Sequence, residues 1–165
     1  MNKNTKFAAL AAAAALFAIP GAAQAGTQSS NMGVSAVVTG NCTISTSPVA
    51  FGNVNTLDPA AIDATGGITV TCTKKTNWAA SAGAGTGAGA TTAVRKMTAG
   101  TDVLNYSLYT DAARTTLWGD TSGQTITSVG TGVAQPFVIY GRIPGGQNSA
   151  PAGNYADTVA VTVTY

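Results

Sequence analysis

The sequence predicts an all-β domain, built as an antiparallel β-sandwich or barrel. In the C-terminal stretch GNYADTVAVTVTY, tyrosine and valine fall on odd positions, and alanine and threonine on even ones. This period of two indicates a β-strand with one buried face. From Gly26 onward, Gly, Thr, Ser and Val are abundant and no segment shows helical periodicity, which favours strands and turns.

Several short strand candidates follow one another along the chain, and turn-forming sequences separate them. The predicted strands are residues 32–38, 68–73, 77–81, 103–109, 125–129, 136–143 and 155–165. The clearest turn signals are TGGIT at 65–69, PGGQN at 144–148 and PAGNY at 151–155. Many short strands without breaks of helical length are typical of an antiparallel sandwich.

Residues 1–25 have the features of a signal peptide. Lys3 and Lys6 precede an apolar run that is too short to span a bilayer, and Ala23–Ala25 form a small-x-small cleavage pattern. We therefore expect cleavage between Ala25 and Gly26, and export of a single mature domain. The alternatives are a short membrane anchor or a core helix.

The charge balance of the mature chain argues against nucleic acid as a partner. Two of the eight Lys and Arg residues lie in the leader, so six remain against six Asp, and the sequence contains no Glu. A net charge near zero gives no electrostatic attraction for nucleic acid or an anionic membrane. With 8% charged residues, the surface favours association with other proteins.

Cys42 and Cys72 are the only cysteines, and both lie in the exported part. In an oxidising compartment two cysteines of one small domain usually pair, so we expect a Cys42–Cys72 disulfide. Two unpaired structural thiols are the alternative. We expect no metal site, because the chain lacks His and a second cysteine pair.

We expect no enzymatic activity and no cofactor. Without His there is no Ser-His-Asp or Cys-His arrangement. The six Asp are scattered, without a D-x-D cluster or an obvious acid/base pair, although folding could still bring two together. The Gly/Ala/Thr stretch at 83–93 opens no helix, so a flexible surface loop is favoured over a phosphate-binding loop.

Several motifs together resemble the spore coat protein U domain family, which includes pilins of archaic, Csu-type chaperone–usher pili. The motifs are NCTI (41–44), VAFGNV (49–54), GGITVTC (66–72), RKM (95–97), LNYSLYTDAARTTLWGD (104–120), VIYGRIPGGQ (138–147) and the closing GNYADTVAVTVTY. The resemblance covers essentially the whole mature chain. Its one departure is the expansion at 83–93.

This resemblance implies an incomplete immunoglobulin-like sandwich that is completed by a donor strand from another chain. A periplasmic chaperone would fill the open groove first, and at an outer-membrane usher the N-terminal segment of the next pilin would replace it. The implied product is a fimbria at the cell surface that supports adhesion and biofilm formation. The implied partners are thus other pilin subunits, a chaperone and an usher.

The chain then divides into a signal peptide (1–25), a donor-strand segment (26–41) and a sandwich domain (42–165). Met32, Val34, Ala36 and Val38 alternate ahead of Cys42 and are the predicted donor residues. Val159, Val161, Val163 and Tyr165 are the predicted residues of the acceptor strand. The alternative for residues 32–38 is an ordinary first strand that pairs within its own sheet.

The remaining polar and aromatic motif residues favour structural roles. Arg95, Arg114, Arg142 and Asp157 match family positions, and isolated charges on a sandwich more often fix loops than bind ligands. Trp78 and Trp118 are likewise interpreted as core or loop-packing residues. Two other functions stay open, namely a secreted spore or cyst coat protein and a monomeric secreted ligand-binding sandwich.

Overall fold

The computed structural model describes residues 24–165, so almost all of the predicted signal peptide lies outside the described residues. The chain divides into two units, with a boundary after Ala36. In the first unit, residues 24–36 form neither helix nor strand and are exposed. All the regular structure described below belongs to the second unit.

Residues 37–165 fold into eight strands that pair only in antiparallel fashion. The strands are β1 (Cys42–Ser47), β2 (Ile62–Cys72), β3 (Asn77–Ala82), β4 (Arg95–Ala99), β5 (Asp102–Tyr109), β6 (Ile126–Val129), β7 (Gln135–Ile143) and β8 (Val161–Thr164). They form a five-stranded sheet of order β1-β2-β7-β5-β4 and a three-stranded sheet of order β6-β3-β8. The described residues contain no helix long and apolar enough to cross a membrane.

The core lies between the two sheets and draws on both. Alternate residues of β2, including Ile68 and Val70, are buried, and so are Trp78 and Ala80 of β3. The Trp78 ring meets Phe137 of β7 edge-on, with centroids 5.4 Å apart. The predicted all-β antiparallel fold is therefore confirmed, and it follows from the period of two that puts one face of each strand inside.

Two strands were not predicted from the sequence. β1 carries mostly polar residues and four of its six are exposed, so it has little hydrophobic signal. β4 contains Arg95, whose side chain is completely buried although charged residues rarely are. Its guanidinium donates hydrogen bonds to the carbonyl oxygens of Gly83, Thr92, Ala82 and Trp118 at 2.6–3.2 Å, which satisfies the charge inside the core.

The prediction of one continuous strand over 155–165 was wrong. Ala156 forms an isolated bridge with Thr98 of β4, in the five-stranded sheet. Regular pairing resumes only at Val161, where β8 joins β3 in the other sheet. The alternating pattern persists because one face stays toward the core, while the backbone crosses between the sheets at residues 157–160.

The predicted strand at 32–38 is also absent, because no described residue supplies a partner ladder for this segment. The side chains of Met32, Val34, Val37 and Val38 are all more than 80% exposed. An exposed apolar segment without a partner among residues 24–165 often marks an interaction site.

A disulfide joins Cys42 to Cys72, with the two Cα atoms 4.1 Å apart. These two cysteines are also the first register pair between β1 and β2. The bond therefore attaches the start of the edge strand β1 to an inner strand of the five-stranded sheet.

Candidate functional site

A groove of about 500 Å³ opens beside the C-terminal strand, between β8 and β1. β8 pairs with β3 on one side only, and β1 pairs with β2 on one side only, so each presents an unpaired edge toward the other sheet. The groove is lined by Thr46, Ser47, Pro48, Val49, Phe51, Gly67, Ile68, Met97, Tyr106, Leu108, Trp118, Ile139, Tyr155–Val159 and Val161. The unpaired edge of β8 therefore lies beside an open groove.

The backbone of β8 offers hydrogen-bonding groups to this groove. The N–H of Gly83 donates to the carbonyl of Ala160 at 2.9 Å, and the same register continues through Ser81 and Thr162. Because neighbouring residues of a strand direct their N–H and C=O groups to opposite sides, those of Val161 and Val163 point away from β3. An extended segment in the groove could bond to both residues.

The structure brings together some of the predicted acceptor residues. Val159 and Val161 line the groove, and Val163 is half-buried and packs against the core. Tyr165 is 58% exposed and lies outside the groove, where its hydroxyl donates to Asn41 Oδ1 at 3.2 Å. The odd-numbered face of the strand thus turns inward, as its alternation indicates.

Sequence reasoning missed most of the opposite wall. The segment after β1 places Val49 and Phe51 over the inner face of the five-stranded sheet, and the Phe51 ring stands edge-on to Tyr106 at 6.2 Å. A Cβ on Gly141 would lie 2.6 Å from Val49 and 2.8 Å from Phe51, and one on Gly66 would lie 2.7 Å from Val49. The glycines therefore admit these side chains, and the VAFGNV motif was the only available signal.

Asp157 lines the groove at the point where the chain crosses between the sheets. Its Oδ1 accepts hydrogen bonds from the N–H and hydroxyl of Thr86 and from the N–H of Thr158, each at 2.7 Å. Its Oδ2 accepts the Tyr106 hydroxyl at 2.8 Å. A single carboxylate thus ties the 83–93 loop, the wall of the groove and the crossing segment together.

These hydrogen bonds also shift the pKa values of Asp157 and Tyr106. Burial opposes the charge of Asp157, but the hydrogen bonds from Thr86, Tyr106 and Thr158 hold its pKa below the usual value. Burial, and then the bond to Asp157, raises the pKa of the Tyr106 hydroxyl. At neutral pH the pair is a carboxylate that accepts from a protonated phenol.

We expect Asp157→Asn to lower the free energy of unfolding by about 2 kcal/mol at pH 7, because charge-assisted hydrogen bonds are lost. The pKa of Asp157 is lower in the folded chain, so its contribution is complete above the unfolded value of about 3.8 and disappears as pH falls through the folded value. Urea unfolding of both proteins at pH 7 and pH 3 measures this. A difference that is equally large at both pH values would contradict the assignment.

Arg142, Arg114 and Asp63 form an ion cluster away from the groove. Arg142 binds both carboxylate oxygens of Asp63 at 2.7 and 2.8 Å, and Arg114 Nε lies 3.1 Å from the first of them. The hydrogen bond from Arg142 lowers the pKa of Asp63, and the charge of Arg114 adds to this. Asp63 and Arg142 are register partners on β2 and β7, so the cluster joins neighbouring strands and supports the structural interpretation of both arginines.

Residues 28–162 match the family model described as the Spore Coat Protein U domain. A similar curated protein is Protein U of Myxococcus xanthus, which is 39% identical over 178 aligned positions that cover 98% of each chain.

Among solved structures, the chain is similar to one in the crystal structure of the CsuC–CsuE chaperone–tip adhesion subunit pre-assembly complex, from archaic chaperone–usher Csu pili of Acinetobacter baumannii. The TM-score is 0.55 and the identity 23%, over 78% of this chain and 40% of that one. The chain spans less than half of the length of that protein, and the likeness is one of fold.

Proposed function

The chain belongs to the Spore Coat Protein U domain family, and from this premise we propose that it is a structural subunit of a fimbria assembled by the chaperone–usher pathway. In this proposal, a donor strand from another chain fills the groove beside β8. The observation that carries the proposal is the unpaired inner edge of β8 above an open, largely apolar groove. An exposed edge of this kind recruits a strand from elsewhere.

Residues 26–41 are the proposed donor segment. Met32, Val34, Ala36 and Val38 are exposed and alternate with Gly33 and Ser35, so one apolar face is available to enter a neighbour's groove. Full burial of a valine is worth roughly 1.5–3 kcal/mol. Two or three such side chains and a new ladder of backbone bonds amount to a large share of a domain's stability of roughly 5–15 kcal/mol.

The proposal includes a route to the cell surface. The leader at residues 1–25 would direct export, and a periplasmic chaperone would supply a temporary strand to the groove. At an outer-membrane usher, the donor segment of the next subunit would replace that strand. The resulting fibre would serve adhesion and biofilm formation. The fold likeness to a chain of a chaperone–subunit complex supports the chaperone step.

A coat protein is the second candidate, and one observation favours it. The family description names the spore coat, and the relative that matches over 98% of both chains is Protein U. The groove and donor would work in the same way, but the assembled product would cover a cell or spore. Expression with and without the usher separates the two candidates, because surface fibres depend on the usher.

We expect Val34→Asp or Val38→Asp to reduce polymerisation at least tenfold while the chaperone complex is retained. A carboxylate on the donor face would be buried without a partner, whereas the groove that receives the chaperone is untouched. Polymer is measured by electron microscopy and the complex by co-purification. Ser35→Asp adds the same charge to the other face and is the matched control. Normal fibres from both valine variants would contradict the donor assignment.

A further inference from the structure

The predicted donor segment ends at Asn41, where hydrogen bonds and the neighbouring disulfide attach the chain to the end of β2. The Asn41 carbonyl accepts the Thr73 N–H at 2.9 Å, and the Asn41 N–H donates to the Thr73 hydroxyl at 3.1 Å. The side-chain oxygen of Asn41 accepts a hydrogen bond from the Tyr165 hydroxyl. The next residue, Cys42, forms the disulfide with Cys72. We call residues 41, 42, 72 and 73 the donor root.

The strand that follows this root is poorly suited to resist a pull. β1 is an edge strand with six register pairs to β2 and no other partner in its sheet, and four of its six residues are exposed. A force applied at residue 40 would load the Cys42 end first and peel the pairs one after another. The disulfide occupies the first of these pairs, so once the bonds between Asn41 and Thr73 break, a covalent bond takes the load before any hydrogen bond between β1 and β2 does.

Beyond the disulfide, the structure provides a short route to the groove. Cys72 ends β2, and only residues 73–76 separate it from β3. Within that turn, the Thr76 N–H donates to the Thr73 carbonyl. Gly130 holds the turn from outside, because its carbonyl accepts the Lys75 N–H and its own N–H donates to the Thr76 carbonyl. β3 then pairs along four positions with β8, the strand at which a neighbour's donor would attach. β2 is itself anchored by nine register pairs to β7.

We propose that the Cys42–Cys72 disulfide is a tension-bearing link, which passes load from the donor root through the 73–76 turn and β3 to the donor-binding strand β8, and so bypasses β1. This inference rests on the proposed fibre, in which each subunit is pulled at residue 40 and at β8. The load comes from the neighbouring subunits of the fibre, which are second copies of the chain. The link keeps β1, and with it one wall of the groove, in place under tension.

Force–extension measurements on single fibres test the link. Fibres of the native chain should show no event of the length that release of β1 would add below the force that unfolds the domain. Fibres of the Cys42→Ser/Cys72→Ser variant should show an earlier event of at least about 20 Å per subunit, as the six residues of β1 peel away at roughly 3.4 Å each. Identical traces below the unfolding force would overturn the proposal.

A relocated cross-link separates load bearing from general stabilisation. Ser45 and Thr69 are register partners three pairs further along β1. Ser45→Cys/Thr69→Cys in the serine background closes a loop of similar length but leaves residues 42–44 outside the link. We expect an early event about half as long, near 10 Å. Its absence would overturn the proposal, even if the variant without a cross-link fails to fold. Failure of the native chain to form fibres would instead overturn the proposed function, and the inference with it.

Discussion

Val161→Asp is expected to eliminate both the chaperone complex and the fibre. Val161 lines the groove, is half-buried and pairs with Ala82 of β3, so the new carboxylate would lie in a largely apolar wall. The guanidinium of Arg95, which donates to the Ala82 carbonyl, is already bonded to four carbonyl oxygens. Burial of a charge without a partner costs several kcal/mol. Because chaperone and donor would use the same edge of β8, the loss should precede assembly and exceed tenfold in both products.

Thr162→Asp is the matched control for this prediction. Thr162 is the neighbouring residue, is exposed and points to the opposite face of β8, so the same charge remains in solvent. Co-purification with the chaperone, followed by electron microscopy of surface fibres, compares the two variants. If Val161→Asp retained the chaperone complex, or if both variants lost it equally, the assignment of the inward face of β8 as the acceptor would be wrong.

Fusion of residues 27–41 to the C-terminus is expected to give a stable monomer. A short flexible linker after Tyr165 would let the segment fold back along the free edge of β8. Burial of the apolar donor side chains at roughly 1.5–3 kcal/mol each should raise the free energy of unfolding by about 5 kcal/mol. The guanidinium midpoint and the mass in solution measure the effect against the unfused mature chain.

The same fusion with Val34→Asp and Val38→Asp in the added segment is its control. It has the same length and linker, but its apolar face is interrupted twice. Its midpoint should lie close to that of the unfused chain. A rise as large as that of the native fusion would show that the added length, and not occupancy of the groove, stabilises the domain.

Much of the fold could be predicted from alternation along the sequence, because β3, β5, β7 and the second half of β2 each bury one face. The first half of β2 could not, since its glycines indicated a turn at 65–69, where the strand in fact continues. β4 could not, since a charged side chain is buried there. Arg95 becomes acceptable in the core only because four carbonyl oxygens converge on it from distant parts of the chain. The break before β8 was equally hidden, since alternation reports which face is buried and not which sheet supplies the partner.

The candidate site was predictable in part for the same reason. The parity of Val159 and Val161 placed them on an inward face, and the structure puts both in the groove. The wall formed by Val49 and Phe51 depends on the missing side chains of Gly66 and Gly141, a tertiary fit that no local pattern records. Whether residues 26–41 act as a donor is a question about a second molecule.

The most direct test of the account is hydrogen exchange at the backbone N–H groups of Val161 and Val163, which face away from β3. In the unfused mature monomer both should exchange rapidly, whereas Thr162 and Thr164, which face β3, should exchange more slowly. In the fibre, or in the fusion with the native donor segment, all four should be protected. If Val161 and Val163 were already protected in the monomer, the groove would be filled from within the same chain, and the account of an incomplete sandwich would be contradicted.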